Sequence, residues 1–324
     1  MIIADCRHSG QTRHGGIIEY MINRHTYHDL TWIDLESPNA QEVRSLADEF
    51  NIHPLVADEL LSKSAKSKVD FYGNTIYCIL HFPAIKHTHR NEGSQEIDFV
   101  LGKKFLITTH YDTIDPLHKF SKIFEVNSIT DRTNLGEHAG FLFYYMTKKL
   151  YGSMENELEV LRDRLERIEQ NIFLGKERDM VIELSRVARD LLTIKRAFVL
   201  HGDVLESLRI ASKKLYNEEF DLYLRDLIGE YTKIQNSLRS ETESLEELRS
   251  TNDSLLTAKQ NAVMKTLTIM AFIMLPCSFI AAVFSMRVNL PLIGSAYDFW
   301  YVVALMIGAS IMVFTFFRYK KWLS

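Results

Sequence analysis

In the C-terminal third of the chain, Asn261, Met264, Leu267 with Thr268, Ala271, Leu275, Ser278 and Ala282 recur every three to four residues. That spacing lays them along one face of a helix. The face offers an amide and two hydroxyls and carries no acid. An ion moving along it would meet carbonyls, hydroxyls, an amide and its own retained water. Such a lining suits a strongly hydrated cation like Mg2+, which dehydrates reluctantly. Met264, Leu267 and Leu275 could close such a path by dewetting. The same small and apolar residues also serve ordinary helix packing in lipid, and spacing alone leaves both roles open.

Other chemistry is sparse. His81, His87 and His89 lie near one another, the last two as His-Thr-His. On a strand that spacing puts both imidazoles on one face, compatible with Zn2+. Two further ligands are missing, so solvated loop histidines are the plainer reading, as for the scattered His8, His14, His25 and His28. Cys6, Cys78 and Cys277 are far apart, which argues against a disulfide framework or a Cys-type zinc site. Phosphate-binding, zinc-protease, nucleophile-elbow and dinucleotide motifs are lacking, so nothing supports ATP-driven transport or an enzyme. No basic tract points to nucleic acid.

The elements that must position the stripe are apolar. Leu267–Phe284 and Phe299–Phe317 are 18 and 19 residues without a charge. Each is long enough to cross a bilayer as a helix. Tyr297, Trp300 and Tyr301 sit at the start of the second run, and Tyr319 and Trp322 at its end, at the depths aromatic belts occupy. Lys259 and Lys265 before the first run, with Arg318, Lys320 and Lys321 after the second, put both ends inside by the positive-inside rule. Mean hydropathy is only −0.10, so the apolar excess is local. The chain begins without a basic start and apolar run of the secretory kind, and its N-terminal mass is expected in the cytoplasm. Two helices cannot enclose a polar path; several copies around an axis would be needed.

Upstream the pattern is mixed. Gly16–Met21, Leu30–Leu35, Thr75–Phe82, Glu96–Leu101 and Lys104–Thr109 read as strands, rich in β-branched and aromatic residues. Ser37-Pro38 reads as the opening of a helix over Asn39–Phe50. These predict an α/β domain. After Asn134 helix formers dominate, and no proline occurs between Pro116 and Pro276. Gly175 and the region of Asn217 divide this stretch into about three long helices. The last begins near Glu218 and carries a seam of Leu224, Leu227, Tyr231, Ile234, Leu238, Leu245, Leu248 and Leu255, with Glu241 and Asn252 on the same line. The expected division is 1–133 cytoplasmic α/β domain, 134–262 helix bundle and stalk, 263–284 first span, 285–298 external loop, 299–317 second span and 318–324 basic tail.

The segment Asn261-Ala262-Val263-Met264-Lys265-Thr266-Leu267-Thr268-Ile269, followed by Leu275-Pro276, Ser278-Phe279-Ile280-Ala281 and Lys320-Lys321-Trp322-Leu323, resembles the CorA-like metal ion transporters of the CorA/ZntB superfamily. The resemblance implies an α+β cytoplasmic domain (an α/β sandwich), a long helical stalk and two C-terminal transmembrane helices. It further implies a funnel-shaped homopentamer in a bacterial inner membrane, with both termini cytoplasmic. The implied activity is passage of a divalent cation (Mg2+, Co2+, Ni2+ or Zn2+), closed by metal binding in the cytoplasmic domain. No other cofactor is implied.

The family's pore-lining positions fall on Asn261, Met264, Leu267, Leu275, Ser278 and Ala282. Leu224-Arg225-Asp226 aligns without gaps with a stalk segment whose acid, in the family, binds a regulatory metal between subunits, which makes Asp226 a candidate sensor; a solvated stalk acid is the plain alternative. One departure stands out. Where the family has Gly-Met-Asn at the outer mouth, this chain has Ser285-Met286-Arg287, as a divergent or CmaX-like member would. Five arginines around a narrow mouth would repel cations unless paired or turned away, and Asp298 is the acid of that loop that could pair with them. Two further readings stay open: zinc efflux or proton-coupled zinc transport, and a non-conducting membrane scaffold or sensor.

Overall fold

The computed structural model describes residues 22–83, 94–111, 136–285 and 298–320. The chain divides into two compact units, residues 1–164 with 186–243, and residues 165–185 with 244–324.

The first unit is built on a mixed sheet of β1 (Ile22–Tyr27), β2 (Leu30–Glu36), β3 (Lys68–Tyr72), β4 (Thr75–Pro83), β5 (Ser94–Leu101) and β6 (Phe105–His110). The spatial order is β1-β2-β6-β5-β4-β3. The β2–β6 pair is parallel and the others are antiparallel. Every residue of β4 is buried, as expected of a strand covered on both faces. On one face Ile33, Leu35, Tyr77, Ile79, Val100 and Ile107 pack with Val43, Leu46, Ile52 and Val56. The latter come from and around α1 (Ala40–Phe50) and α2 (Pro54–Glu59). On the other face Phe99 meets Phe143 edge-on, and Phe82 meets Tyr151 and Phe198. Those partners belong to α3 (Gly140–Phe173) and α4 (Glu177–Phe198). Helices on both faces of one sheet make the expected sandwich.

The runs read as strands at Leu30, Thr75, Glu96 and Lys104 form β2, β4, β5 and β6. Gly16–Met21 lies outside the described residues. The edge strands β1 and β3 escape the sequence reading because Ile22-Asn23-Arg24-His25 and Lys68-Val69-Asp70 are polar and charged, as edges tend to be. The start of α1 is corrected. Asn39, not Ser37, is the N-cap, and its side chain accepts from the backbone N–H of Gln41 and Glu42 while Glu42 Oε2 accepts from Asn39 N at 2.9 Å. Ser37 has φ 51° and lies before the helix.

The expectation of about three long helices is also corrected. The described stretch holds α3, α4, α5 (His201–Leu215) and α6 (Phe220–Ser285). The unforeseen break, at Val199-Leu200, has no glycine or proline and no side-chain cap. Tertiary contacts hold it, since Phe198 and His201 both turn onto Phe82. Gly175 does end α3. Its φ is 87°, its N–H donates to Ile172 O, and Lys176 N–H donates to Asn171 O, the paired bonds of a Schellman cap. Replacing Gly175 by alanine is expected to cost about 1–2 kcal/mol, the penalty for a β-carbon in the left-handed region; a thermal midpoint unchanged from wild type would contradict it.

His201 sits at the centre of an aromatic cluster with Phe82, Tyr151 and Phe198. Its Nε2–H donates to the His81 carbonyl at 2.8 Å, so Nδ1 accepts from the Tyr151 hydroxyl at 3.1 Å. Burial pushes its pKa down to about 3. Burial lowers His138 as well, to about 4, where that ring stacks on Tyr216 at 4.2 Å. A histidine held neutral contributes stability above its unfolded pKa of about 6.5, and this is lost on acidification toward the folded pKa. The unfolding free energy should therefore fall below about pH 6.5, by up to about 1.4 kcal/mol per pH unit from His201 alone. Near-UV circular dichroism melts between pH 7.5 and 5 check this: His201→Gln should show a shallower fall than wild type, and an equal slope would refute the assignment.

His81 is likewise not a solvated loop residue. It lies in β4, buried, with Nδ1 2.9 Å from Ser67 Oγ and Nε2 3.1 Å from Ser64 O. His87 and His89 lie outside the described residues. His25 is in β1, stacked on Trp32 at 4.9 Å.

Along α6, Leu224, Leu227, Ile234 and Leu238 of the predicted seam are buried in the first unit and Leu245 in the second. Glu241 falls on the same line, 3% exposed, and its carboxylate accepts from Arg162 Nε at 2.8 Å. In the second unit Lys259 Nζ bonds Glu177 Oε2 at 2.6 Å and the Gly175 carbonyl at 3.3 Å. The hydrogen bond from Lys259 holds Glu177 below the usual carboxylate range. The last helix of the unit is α7 (Asp298–Tyr319).

Candidate functional site

Two helices, α6 through its C-terminal part and α7, are long and apolar enough to cross a membrane. They lie side by side within the second unit. Cys277 Sγ is 3.1 Å from Ser310 Oγ, and Phe272 meets Phe317 at 5.7 Å between ring centroids. Ile269 is buried, and Ile273, Pro276, Cys277, Ile280 and Phe284 are half-buried. At about 100° per residue these fall in one arc of the helix, the arc that packs on α7.

The predicted stripe lies elsewhere on the same helix. Met264, Leu267, Ala271, Leu275, Ser278 and Ala282 are all exposed in the single chain. By the same advance per residue, their arc is centred roughly 170° away from the packed one. Leu267, at 56% exposure, is turned outward. Its neighbour Thr268 is half-buried and donates its hydroxyl to the Met264 carbonyl at 2.8 Å. Asn261, one turn before Lys265, is exposed at the edge of the stripe. Ser285 closes α6, donating to Ala282 O at 2.8 Å. Met286 and Arg287 lie outside the described residues. Met264, Leu267, Ala271, Leu275, Ser278 and Ala282 share one exposed face because a helix fixes its phase locally. What the spacing leaves open is which face α7 covers.

Asp226 stands on the first-unit part of α6. Its Oδ2 accepts from Lys148 Nζ at 2.6 Å and from the Tyr144 hydroxyl at 2.7 Å. The hydrogen bond from Lys148 is the main reason its carboxyl is held below the usual range. Sequence reasoning did not find Tyr144 or Lys148. They lie one helical turn apart on α3, and nothing local to them points to an acid 78 residues later. Among the described residues no group of three or more His, Cys, Asp or Glu side chains is arranged to hold a metal.

Residues 27–321 match the family described as CorA-like Mg2+ transporter protein. The chain belongs to that family. It is 25% identical over 300 residues to the cobalt/magnesium transport protein CorA of Thermotoga maritima, covering 90% of this chain and 83% of that protein. Among solved structures, the CorA magnesium transporter of Methanocaldococcus jannaschii superposes with a TM-score of 0.78 at 22% identity, over 90% of each chain. The full-length CmaX protein gives 0.72 at 16% identity, over 90% of this chain and 89% of that one. These likenesses show the fold, a mixed sheet with a long helix and two C-terminal apolar helices. The chain is thus a CorA-family membrane protein.

Proposed function

We propose that copies of this CorA-family chain assemble as a homopentamer around the first span and pass divalent cations across a membrane, Mg2+ first, with Co2+, Ni2+ and Zn2+ as competitors. One observation carries the reading: the stripe from Met264 to Ala282 is exposed on the side of α6 away from α7. A face so apolar, which none of the described residues covers, is a natural surface for turning toward an axis. There Asn261 and Ser278 offer an amide and a hydroxyl to a cation that keeps its water, and Met264, Leu267 and Leu275 form rings that dry when the path narrows. An inside-negative potential contributes about 2.3 kcal/mol per elementary charge per 100 mV, enough to drive uptake without ATP.

In this reading residues 1–133 and 134–262 lie in the cytoplasm, 263–284 and 299–317 span, 285–298 lie outside, and the tail returns inside. Closing by metal bound in the cytoplasmic portion belongs to the same reading.

A specific feature favours a second reading, a scaffold or sensor that keeps the fold without conducting: the chain has Arg287 at the position where the family resemblance implies an asparagine. Flux into liposomes under an inside-negative potential, scanned over the four ions with a matching dye, separates the two. Channel function predicts potential-dependent flux of at least Mg2+ or Co2+ in the wild type, rising several-fold in Arg287→Asn as positive charge leaves the mouth. A silent wild type that Arg287→Asn opens would establish the second reading. Silence in both would end the transport reading.

A further inference from the structure

The expectation that Asp226 is a ligand for a regulatory divalent cation does not fit the groups around it. A hard cation takes six or more oxygen ligands, or a few with retained water. What surrounds this carboxylate is the Lys148 ammonium at 2.6 Å and the Tyr144 hydroxyl at 2.7 Å. The ammonium also donates to the Tyr144 hydroxyl at 2.9 Å and stands 5.3 Å from the centre of that ring. It has no lone pair to offer a metal and repels one. The acids flanking Asp226 along α6 are already answered: Asp221 accepts from Arg225 at 2.8 Å and from Arg209 at 3.1 Å, and Glu230 accepts from Lys233 at 3.1 Å.

We propose that Lys148 is a tethered cation: its ammonium stands at Asp226 where a regulatory divalent ion would otherwise bind, and makes this contact between α3 and α6 independent of cytosolic divalent concentration. The regulatory meaning rests on the transport reading above; the contact itself does not.

The physical case is one of competition, not of strength. With side chains 41% and 45% exposed, the pair is a surface ion pair worth little as a brace. It is, however, intramolecular. A dissolved cation must displace a partner whose effective concentration is fixed by the helix that carries it, and among the described residues of the chain no group of three or more acids, histidines or cysteines is arranged to help it. Tyr144 orients both members, its hydroxyl bonded to each beside their direct contact. The shifts agree in direction, Asp226 held down and Lys148 raised, each mainly by its hydrogen bond to the other. Both groups therefore stay charged throughout the physiological range, and the contact does not switch with pH there.

The test uses the full-length protein in detergent, with protease protection of its cytoplasmic portion followed against Mg2+ at constant ionic strength. Asp226→Asn in the wild-type background is expected to leave the half-protecting Mg2+ concentration unchanged. Lys148→Gln should acquire an Mg2+ response shifted by about tenfold or more, the effect of freeing one close charge partner. Adding Asp226→Asn to Lys148→Gln should remove that response, and Lys148→Arg, which keeps the cation, should behave as wild type. Two results overturn the proposal: a wild-type Mg2+ response that Asp226→Asn weakens about tenfold, or a Lys148→Gln protein with no Asp226-dependent response. Should Lys148→Gln fail to fold, Asp226→Asn alone still decides. Protection needs no ion flux, so a failure of the transport reading in liposomes is distinguishable from a failure here.

Discussion

Ser278→Trp is expected to reduce divalent flux by more than about tenfold, the largest functional effect of any single substitution on α6, because an apolar ring narrowed by indoles excludes water and with it the hydrated ion. Ser278 is the side chain of the stripe's second half that can hydrogen-bond such an ion, and it is exposed opposite the α7 contact. The control is Met270→Trp, on the same span but about 100° away from the stripe. Met270 is 59% exposed, so the bulk is tolerated by the hairpin itself, and flux should stay within about threefold of wild type if only the stripe faces the ion. Equal loss in both variants would mean that bulk anywhere on the span disturbs assembly, and would remove the support the stripe gives to the transport reading. Flux unchanged in Ser278→Trp would place the ion path elsewhere.

The largest effect on stability is expected at Trp32, in β2. Its side chain is fully buried, and its Nε1–H donates to Thr108 Oγ1 at 3.0 Å across the parallel β2–β6 pair. Trp32→Ala removes an indole from the interior and leaves a cavity, a loss of about 3–5 kcal/mol. For a unit of this size that lowers the thermal midpoint by roughly 6–20 °C. Trp32→Phe, which keeps most of the ring and loses the hydrogen bond, should cost distinctly less. Thermal melts of the solubilised protein followed by near-UV circular dichroism would decide it; a drop of only a degree or two in Trp32→Ala would show that the site collapses around the smaller side chain.

How far the fold can be read from the chain depends on where each signal resides. The buried strands β2, β4, β5 and β6 announce themselves because their composition answers to burial on both faces. The edge strands β1 and β3 do not, since an exposed edge rewards charge. The Gly175 stop is local chemistry and is legible. The Val199-Leu200 break is not, because Phe82, 116 or more residues earlier in the chain, is what turns Phe198 and His201 inward. The same division holds for the sites. The phase of Met264, Leu275 and Ser278 follows from helical spacing alone. The identity of Asp226's partner depends on how α3 packs on α6, which no spacing within either helix encodes.

Pro276 gives the first span an uneven stiffness. It lies inside α6 and has no N–H to give, so the carbonyl of Phe272 one turn earlier lacks its helical donor. In water such a carbonyl would be solvated, but in hydrocarbon it has only neighbouring side chains or a shift of the local turn to satisfy it. A sharp bend elsewhere along this 66-residue helix strains or breaks a backbone hydrogen bond. A bend between Phe272 and Pro276 breaks none, so this is the softest joint of the rod, and it falls within the stripe, after Met264 and Leu267 and beside Leu275 and Ser278. The two ends of that stripe are therefore not mechanically one piece: Ser278 and Ala282 can tilt while Met264 and Leu267 stay where they are.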